Sequence, residues 1–490
     1  MSIEKDALAH QTLQLRSFFR QFARDDVPEE YYRLLSQYDQ PLATRLGQLY
    51  HLFPVEAENA KSEAWNTELG ATSAETVNER IASALHDSDR WMLIGGPPCQ
   101  AYSVVGRVRN SGNPAYVAGE DIRHFLYLEY LQVIADHEPA IFVMENVRGL
   151  LTASLGNGRI FERILDDLKS PSTALERGNR VLRLGKRSKG GARYNIVPIT
   201  ETSLCAKNEF PDYVVKMEDY GIPQARHRVI LIGIREDLGK IQPQVLKKQP
   251  PVNINSVLNG LPHLRSGISK RMDTAEEWYK VLQQARNYEW YKRLRDTNNA
   301  LFNRLDEALA NLYTGINGRG AEYMKYDSMV GHEQKEGGLI DERICGVWNH
   351  ETRSHIVEDL YRYLFAACFA KVEGRSPNLH DFPVELLPAH KNIARALEEG
   401  MFNDRFRVQV ESKPSTTITS HISKDGHYFI HYDPSQCRSL TVREAARLQT
   451  FPDNYFFCGP RTSQYMQVGN AVPPLLARQV GERIAALLTL

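Results

Sequence analysis

Four residues, Pro97-Pro98-Cys99-Gln100, constrain this chain more than any other stretch of its sequence. The preceding Trp91-Met92-Leu93-Ile94 is a short apolar run, and Gly95-Gly96-Pro97-Pro98 neither continues a strand nor starts a helix smoothly. The pattern predicts a strand that ends just before the cysteine. That places the thiol on the C-terminal rim of a sheet, where open α/β folds bind their ligands. A cysteine at such a position reads as a nucleophile or as the small buried hydrophobe that free cysteines commonly are.

The bulk numbers exclude several classes. At 490 residues the chain is long enough for two or three domains with their own cores, and 42% hydrophobic with 24% charged residues is an ordinary globular balance. No apolar run approaches membrane-spanning length, and Met1-Ser2-Ile3-Glu4-Lys5-Asp6 does not read as a signal peptide, so the expected location is the cytoplasm. Cysteines at 99, 205, 345, 368, 437 and 458 show neither disulfide-framework density nor metal-ligand spacing, which predicts reduced thiols and no metal site. The net charge of +0 advertises no polyanionic partner, but Arg177 to Arg193 is a local basic run rich in glycine. That run suits phosphate contacts or a solvated loop equally well.

From Met1 to about Arg235, apolar strand-like runs alternate with helical patterns, which predicts βα units and a mostly parallel sheet. Trp91–Ile94, Ile141–Met144 and Val229–Ile234 are the clearest strands, with helices expected over His124–Ile134 and Ile160–Leu168. Past Lys240 the pattern is mixed, with one long helical stretch from Thr274 to Tyr313 and another helix from Arg353 to Ala370. The division expected is a first domain over 1–239, an inserted smaller domain over 240–437, and a stretch over 438–490 that returns to the first. Two helical patterns, Thr441–Gln449 and Pro474–Leu488, fall in that last stretch.

Three further elements join the cysteine. Val143-Met144-Glu145-Asn146-Val147 puts a carboxylate at the tip of a second apolar strand, where it reads as an acid/base partner for Cys99 or as the neighbour of a helix cap. Gln224-Ala225-Arg226-His227-Arg228 precedes a third strand, and alternation along an extended segment sends both arginines the same way. Two guanidiniums on one face can fix an anion, a carboxylate or a base edge. The last is Gln467-Val468-Gly469-Asn470-Ala471-Val472-Pro473-Pro474, a turn leading into the final helix.

In this order the four elements resemble the DNA (cytosine-5)-methyltransferase family: Cys99 in Pro-Cys-Gln, Glu145 in Glu-Asn-Val, Gln224, Arg226 and Arg228 in Gln-x-Arg-x-Arg, and Asn470 in Gly-Asn-x-Val. Arg438 to Pro452 is similar to the family's penultimate motif, and the resemblance spans Glu4 to the C-terminus. It implies a Rossmann-like, S-adenosylmethionine-dependent methyltransferase sheet with an inserted target-recognition domain. It also implies duplex DNA as partner and a bacterial restriction or phage-defence setting near the nucleoid.

The resemblance implies roles for named residues. Cys99 is the nucleophile toward cytosine C6, and Glu145 is the acid at N3, which requires a raised pKa. Arg226 and Arg228 orient Glu145 and the base carbonyl. Cofactor contacts fall on Glu4, Pro98, Leu126 and Asn470. A base inside a duplex must be flipped out before reaction, and Ala101 to Asp121 resembles the loop that closes on DNA. Arg107, Arg123, Gln224, Thr417 and Thr419 fall on the DNA side.

One family element is missing from the sequence. The strand and Phe-x-Gly-x-Gly turn that carry the cofactor's methionine end should precede everything quoted, and Ser2-Ile3-Glu4-Lys5-Asp6 already resembles the second motif. The first strand lies in mid-sheet in this fold, so its absence predicts neighbouring strands without backbone partners. The expectation is a strand supplied by a second polypeptide, or lost by truncation. Two alternatives remain: a non-catalytic DNA-binding or regulatory subunit, and a tRNA cytosine-5 methyltransferase. Against the latter, Cys368-Phe369-Ala370 does not match that branch's Cys-Phe-Thr signature. The adenine-binding acid is expected between Leu69-Gly70 and Ile81, where no residue stands out.

Overall fold

A computed structural model describes residues 1–97, 122–155, 158–177, 191–201, 211–239, 241, 243–312, 318–326, 339–389, 393, 397–398, 400 and 403–488. The chain begins with a short strand, β1 (Ser2–Glu4), and Asp6 caps the helix that follows by accepting from the Leu8 and Ala9 amides. Four helices stand between this strand and the next: α1 (Ala7–Phe19), α2 (Glu29–Ser36), α3 (Leu42–Leu52) and α4 (Pro54–Glu63). Then come β2 (Ala64–Asn66), α5 (Ala74–Leu85), β3 (Met92–Gly95), α6 (Ile122–His137), β4 (Ile141–Val147) and α7 (Ile160–Lys169). Further strands of this part include β5 (Tyr194–Val197), β6 (Val214–Lys216), β7 (Gln224–Ala225) and β8 (His227–Arg235).

The main sheet runs β3-β4-β8-β5, with β6 also paired to β8. The expectation of a mostly parallel sheet holds only for β3 and β4, whose register sets Gly95 opposite Met144. Strand β8 is antiparallel to β4, β5 and β6. For β6 the reason is connection length: the short stretch that holds a tight turn, Met217–Tyr220, and the two-residue β7 is too little chain for a parallel crossover to β8. One face of the sheet packs Phe142, Met144 and Leu231 against α6 and α7, and the other packs Val143, Ile230 and Ile232 against the last helix of the chain.

Strands β1 and β2 form a separate parallel pair, with Ser2 opposite Ala64. Trp65 on β2 and Leu93 on β3 still share one apolar cluster with Val77 and Ile81 of α5 and Val133 of α6, so the pair is packed beside β3 through those helices. Among the described residues nothing pairs with the outer edge of β3, and its Ile94 is 67% exposed.

Beyond 240, the long helix expected over Thr274–Tyr313 is three: α8 (Ala275–Gln283), α9 (Glu289–Thr297) and α10 (Asn299–Ala310). A single turn at Gln284–Asn287 makes the first break, and Asn298, whose side chain accepts from the Leu301 amide, makes the second. A hairpin of β9 (Gly320–Lys325) and β10 (Gly346–Glu351) follows, then α11 (Val357–Glu373) and β11 (Ser415–Thr416). Helices α8–α11 enclose a core of their own around Trp278, Trp290, Leu305 and Tyr363. The chain ends in α12 (Val442–Leu448), α13 (Arg461–Asn470) and α14 (Pro474–Leu488). Among the described residues no helix is long and apolar enough to cross a membrane.

Candidate active site

The parallel register of β3 and β4 carries Gly96-Pro97 and Glu145-Asn146 to the same rim. The Asn146 Nδ2 donates to the Pro97 carbonyl at 3.0 Å, which anchors the backbone two residues ahead of Cys99. Close approach requires glycine at the first of the two glycines before the prolines and is tight at the second. A Cβ on Gly95 would lie 2.5 Å from the Tyr130 ring, and one on Gly96 would lie 3.2 Å from Glu145 Oε2. Pro98, Cys99 and Arg107 lie outside the described residues. Arg123 falls on α6, with its side chain also outside them.

Glu145 projects from the face of β4 that Arg228 shares across the antiparallel ladder. The Arg228 Nε donates to Glu145 Oε1 at 2.9 Å, with both side chains mostly buried. Burial nevertheless raises the Glu145 pKa, and the opposing pull of Arg228 and then Arg226 does not cancel it. The carboxyl is thus biased toward its proton-bearing form while still oriented by a cation.

Arg226 is only 2% exposed and is spent on backbone: Nη1 donates to Ile418 O at 2.7 Å and Nη2 to Gly469 O at 3.3 Å. Burial, with Arg228 nearby, lowers its pKa to about 9. Gln224, expected on the DNA side, is fully buried instead. Its Nε2 donates to Leu448 O and Gln449 Oε1 at 3.2 and 3.1 Å, and its Oε1 accepts from the Ile418 amide at 2.8 Å. An extended motif with a polar residue every second position does not reveal which side chains turn inward, and here the inward ones join β7 to β11 in a parallel pair. Thr417 Oγ1 closes the same junction by donating to Ala225 O at 2.8 Å.

Gly469 must also be glycine, because a Cβ would sit 2.3 Å from Ser420 N and Thr419 C. This contact sets Thr419 against the end of α13, where Asn470 is exposed. The arginine motif, Thr417–Thr419 and Gly469-Asn470 therefore converge on one buried guanidinium.

Glu4 stands at the tip of β1, where its Oε1 accepts from the Asp6 amide at 2.9 Å. Asn66 at the tip of β2, which the sequence pattern did not single out, donates to Glu4 O at 2.9 Å and Lys5 O at 3.2 Å. Lys5 pairs with Glu68 at 2.9 Å. The two strand tips thus make a small polar platform, a fit for hydroxyl groups presented to an acidic side chain. Leu126 is half-buried on α6.

Comparisons with known proteins give a family match and several similar relatives. The model of the family described as C-5 cytosine-specific DNA methylase matches residues 49–171 and 212–486. The chain is similar to the type II methyltransferase M.Bpa9945I of Bacillus paralicheniformis, at 31% identity over 97% of this chain and 91% of the relative. It is also similar to the DNA (cytosine-5-)-methyltransferase M.ApeKI of Aeropyrum pernix, at 26% identity over 83% of both chains. A third relative, the type II methyltransferase M.AgeI of Thalassovita gelatinovora, is 26% identical over 80% of this chain and 82% of its own.

Proposed function

Because the chain belongs to the C-5 cytosine-specific DNA methylase family, we propose that it methylates C5 of a flipped cytosine in duplex DNA, with Cys99 as nucleophile and Glu145 as acid. The observation that carries this reading is the Glu145–Arg228 pair, packed against Gly96 on the turn that leads to Cys99. Cytosine C5 is a weak nucleophile. The Cys99 thiolate bonds to C6, Glu145 delivers its proton to N3, and the electron pair moves to C5, which can then accept a methyl group. Loss of the C5 proton to a base, with the N3 proton returning to Glu145, expels the thiolate and restores the ring. Arg228 holds the Glu145 carboxyl in line, and Arg226 fixes the segment on which Arg228 stands.

S-adenosylmethionine would supply the electrophilic methyl as a sulfonium. The platform at β1 and β2 offers Glu4 to its ribose hydroxyls, with Leu126 and Asn470 as further contacts. On the DNA side, Arg107, Arg123, Thr417 and Thr419 are the proposed contacts, and residues 240–437 are the proposed recognition region. Gln224 serves DNA only indirectly, by holding Ile418. The proposed setting is restriction-modification in a bacterial cell, a reading supported by similarity to type II methyltransferases.

The open edge of β3 favours a second reading, in which a parallel strand from another polypeptide completes the sheet before the enzyme turns over. Incubating the purified chain with labelled S-adenosylmethionine and duplex DNA tests both. Label at cytosine C5, located by bisulfite sequencing and lost in Cys99→Ser, is the expected result for the assembled enzyme. Label on tRNA instead of DNA would overturn the first reading, and full turnover by this chain alone would overturn the second.

A further inference from the structure

The helices between β1 and β2 do not spend all of their apolar surface on the sheet. Phe18, Tyr31, Tyr32 and Leu49 bury themselves with Trp348 of β10 and with Ile344 in the turn just before it. Trp348 on β10 stacks on Tyr32 of α2 with ring centroids 6.1 Å apart, and its indole N–H donates to Ser36 Oγ at 3.0 Å. Arg45 of α3 reaches β9: Nη1 donates to Leu35 O at 2.8 Å, and Nη2 pairs with Glu322 Oε1 at 2.5 Å. This guanidinium is only 2% exposed. Tyr32 donates its hydroxyl to Asp341 Oδ2 at 2.9 Å, and Asn454 Nδ2 donates to the same oxygen at 2.9 Å.

The other side of β10 is held as firmly. Arg443 Nε on α12 donates to Trp348 O at 2.9 Å, and Asn349 exchanges two hydrogen bonds with the Phe457 backbone. The hairpin is thus clamped between α2–α3 and the C-terminal stretch. A desolvated arginine is an expensive way merely to glue helices to a hairpin, since apolar packing of similar volume does that as well. What a fixed guanidinium adds is a defined angle and register.

We infer that Arg45 and Tyr32 are positioning residues that set the angle at which the β9–β10 hairpin, and with it the recognition region, meets duplex DNA. This rests on the reading of residues 240–437 as the recognition region. The effect belongs to DNA engagement, because the layer contributes no contact to the Glu145–Arg228 pair among the described residues.

The test measures binding of a fluorescent duplex containing the enzyme's own site, together with steady-state methyl transfer and thermal unfolding, for Arg45→Met, Arg45→Lys and Tyr32→Phe. Arg45→Met is expected to raise the DNA Kd and the DNA KM roughly tenfold, with kcat and the S-adenosylmethionine KM within about twofold. Arg45→Lys, which keeps a cation for Glu322 but not the fork that also binds Leu35 O, should recover only part of the loss. Tyr32→Phe deletes one hydroxyl and should fold normally, with a smaller shift in the same direction. Unchanged DNA Kd and KM in folded Arg45→Met and Tyr32→Phe would overturn the inference alone. So would a loss in which kcat and both KM values worsen together. A wild-type chain that binds no duplex would overturn it together with the function on which it rests.

Discussion

Beside Glu145 the side chains of Gln224 and Arg226 are tied to three segments near the C-terminal end of the chain, whereas around Glu4 the ties run between the ends of two short paired strands. Arg226 and Gln224 reach Ile418, Leu448, Gln449 and Gly469, so three remote segments fold onto the acid's support. Glu4, Lys5, Asn66 and Glu68 bond to one another and to near neighbours at the ends of two short strands. A base-side site must hold a proton donor against a planar ring, and small errors in placement are costly there. A cofactor-side platform can be more loosely joined if binding itself completes it. The contrast predicts that substitutions on the two sides fail in different ways.

The largest effect is expected at Glu145. Glu145→Gln keeps the shape and loses the transferable proton, so kcat should fall about 10²- to 10⁴-fold with DNA binding preserved, as read by single-turnover methyl transfer. Retained kcat would break the assignment of the acid. Arg226→Met comes next, because it strands the Ile418 and Gly469 carbonyls in a buried site. Its expected cost is about 2–4 kcal/mol in denaturant unfolding. A cost below about 0.5 kcal/mol would erase the contrast in bracing.

The pH dependence sharpens the comparison further. Burial raises the Glu145 pKa, and Arg228 opposes it. The acid form is therefore present at low pH and is lost as pH rises through the folded-state value, taking catalysis with it. Stability has the same sign. A carboxyl whose pKa is raised on folding contributes stability below its unfolded pKa, and that contribution disappears as pH rises through the folded pKa. Removing the cation in Arg228→Gln should push the Glu145 pKa higher still and move the alkaline fall of activity to higher pH. A shift to lower pH would show that Arg228 does not act on Glu145 as the geometry indicates.

The smallest effect is expected at the open edge. Ile94→Ser should change the stability of the isolated chain by no more than about 0.5 kcal/mol, because Ile94 is largely exposed there. A loss above about 1.5 kcal/mol, the scale of fully burying such a side chain, would mean that the edge is covered in solution.

Much of the architecture was legible in the sequence, and the failures have physical causes. Strands β3, β4 and β8 were readable because each is a compact apolar run ending in a turn, and α14 has the bounds its amphipathic pattern predicts. Strand direction was not readable, since a buried antiparallel strand such as β8 has the same continuous apolar run as a parallel one. The false long helix over 274–313 arose because α8, α9 and α10 keep helical periodicity on both sides of breaks too short to disturb it. At the site, motif identity located Glu145 and Arg228 but gave no sign that Gln224 turns inward. Asn146 stood within a quoted motif without an assigned role, because a side-chain bond to Pro97 O depends on the register of two strands. The Arg45–Glu322 pair joins residues far apart in the chain, beyond any local pattern.

The most direct measurement is covalent trapping. The enzyme, incubated with S-adenosylmethionine and a duplex carrying 5-fluorocytosine at its target, should form an adduct that cannot eliminate, and peptide mass mapping should place the modified base on Cys99. An adduct on any other residue, or undiminished trapping in Cys99→Ser, would contradict the account.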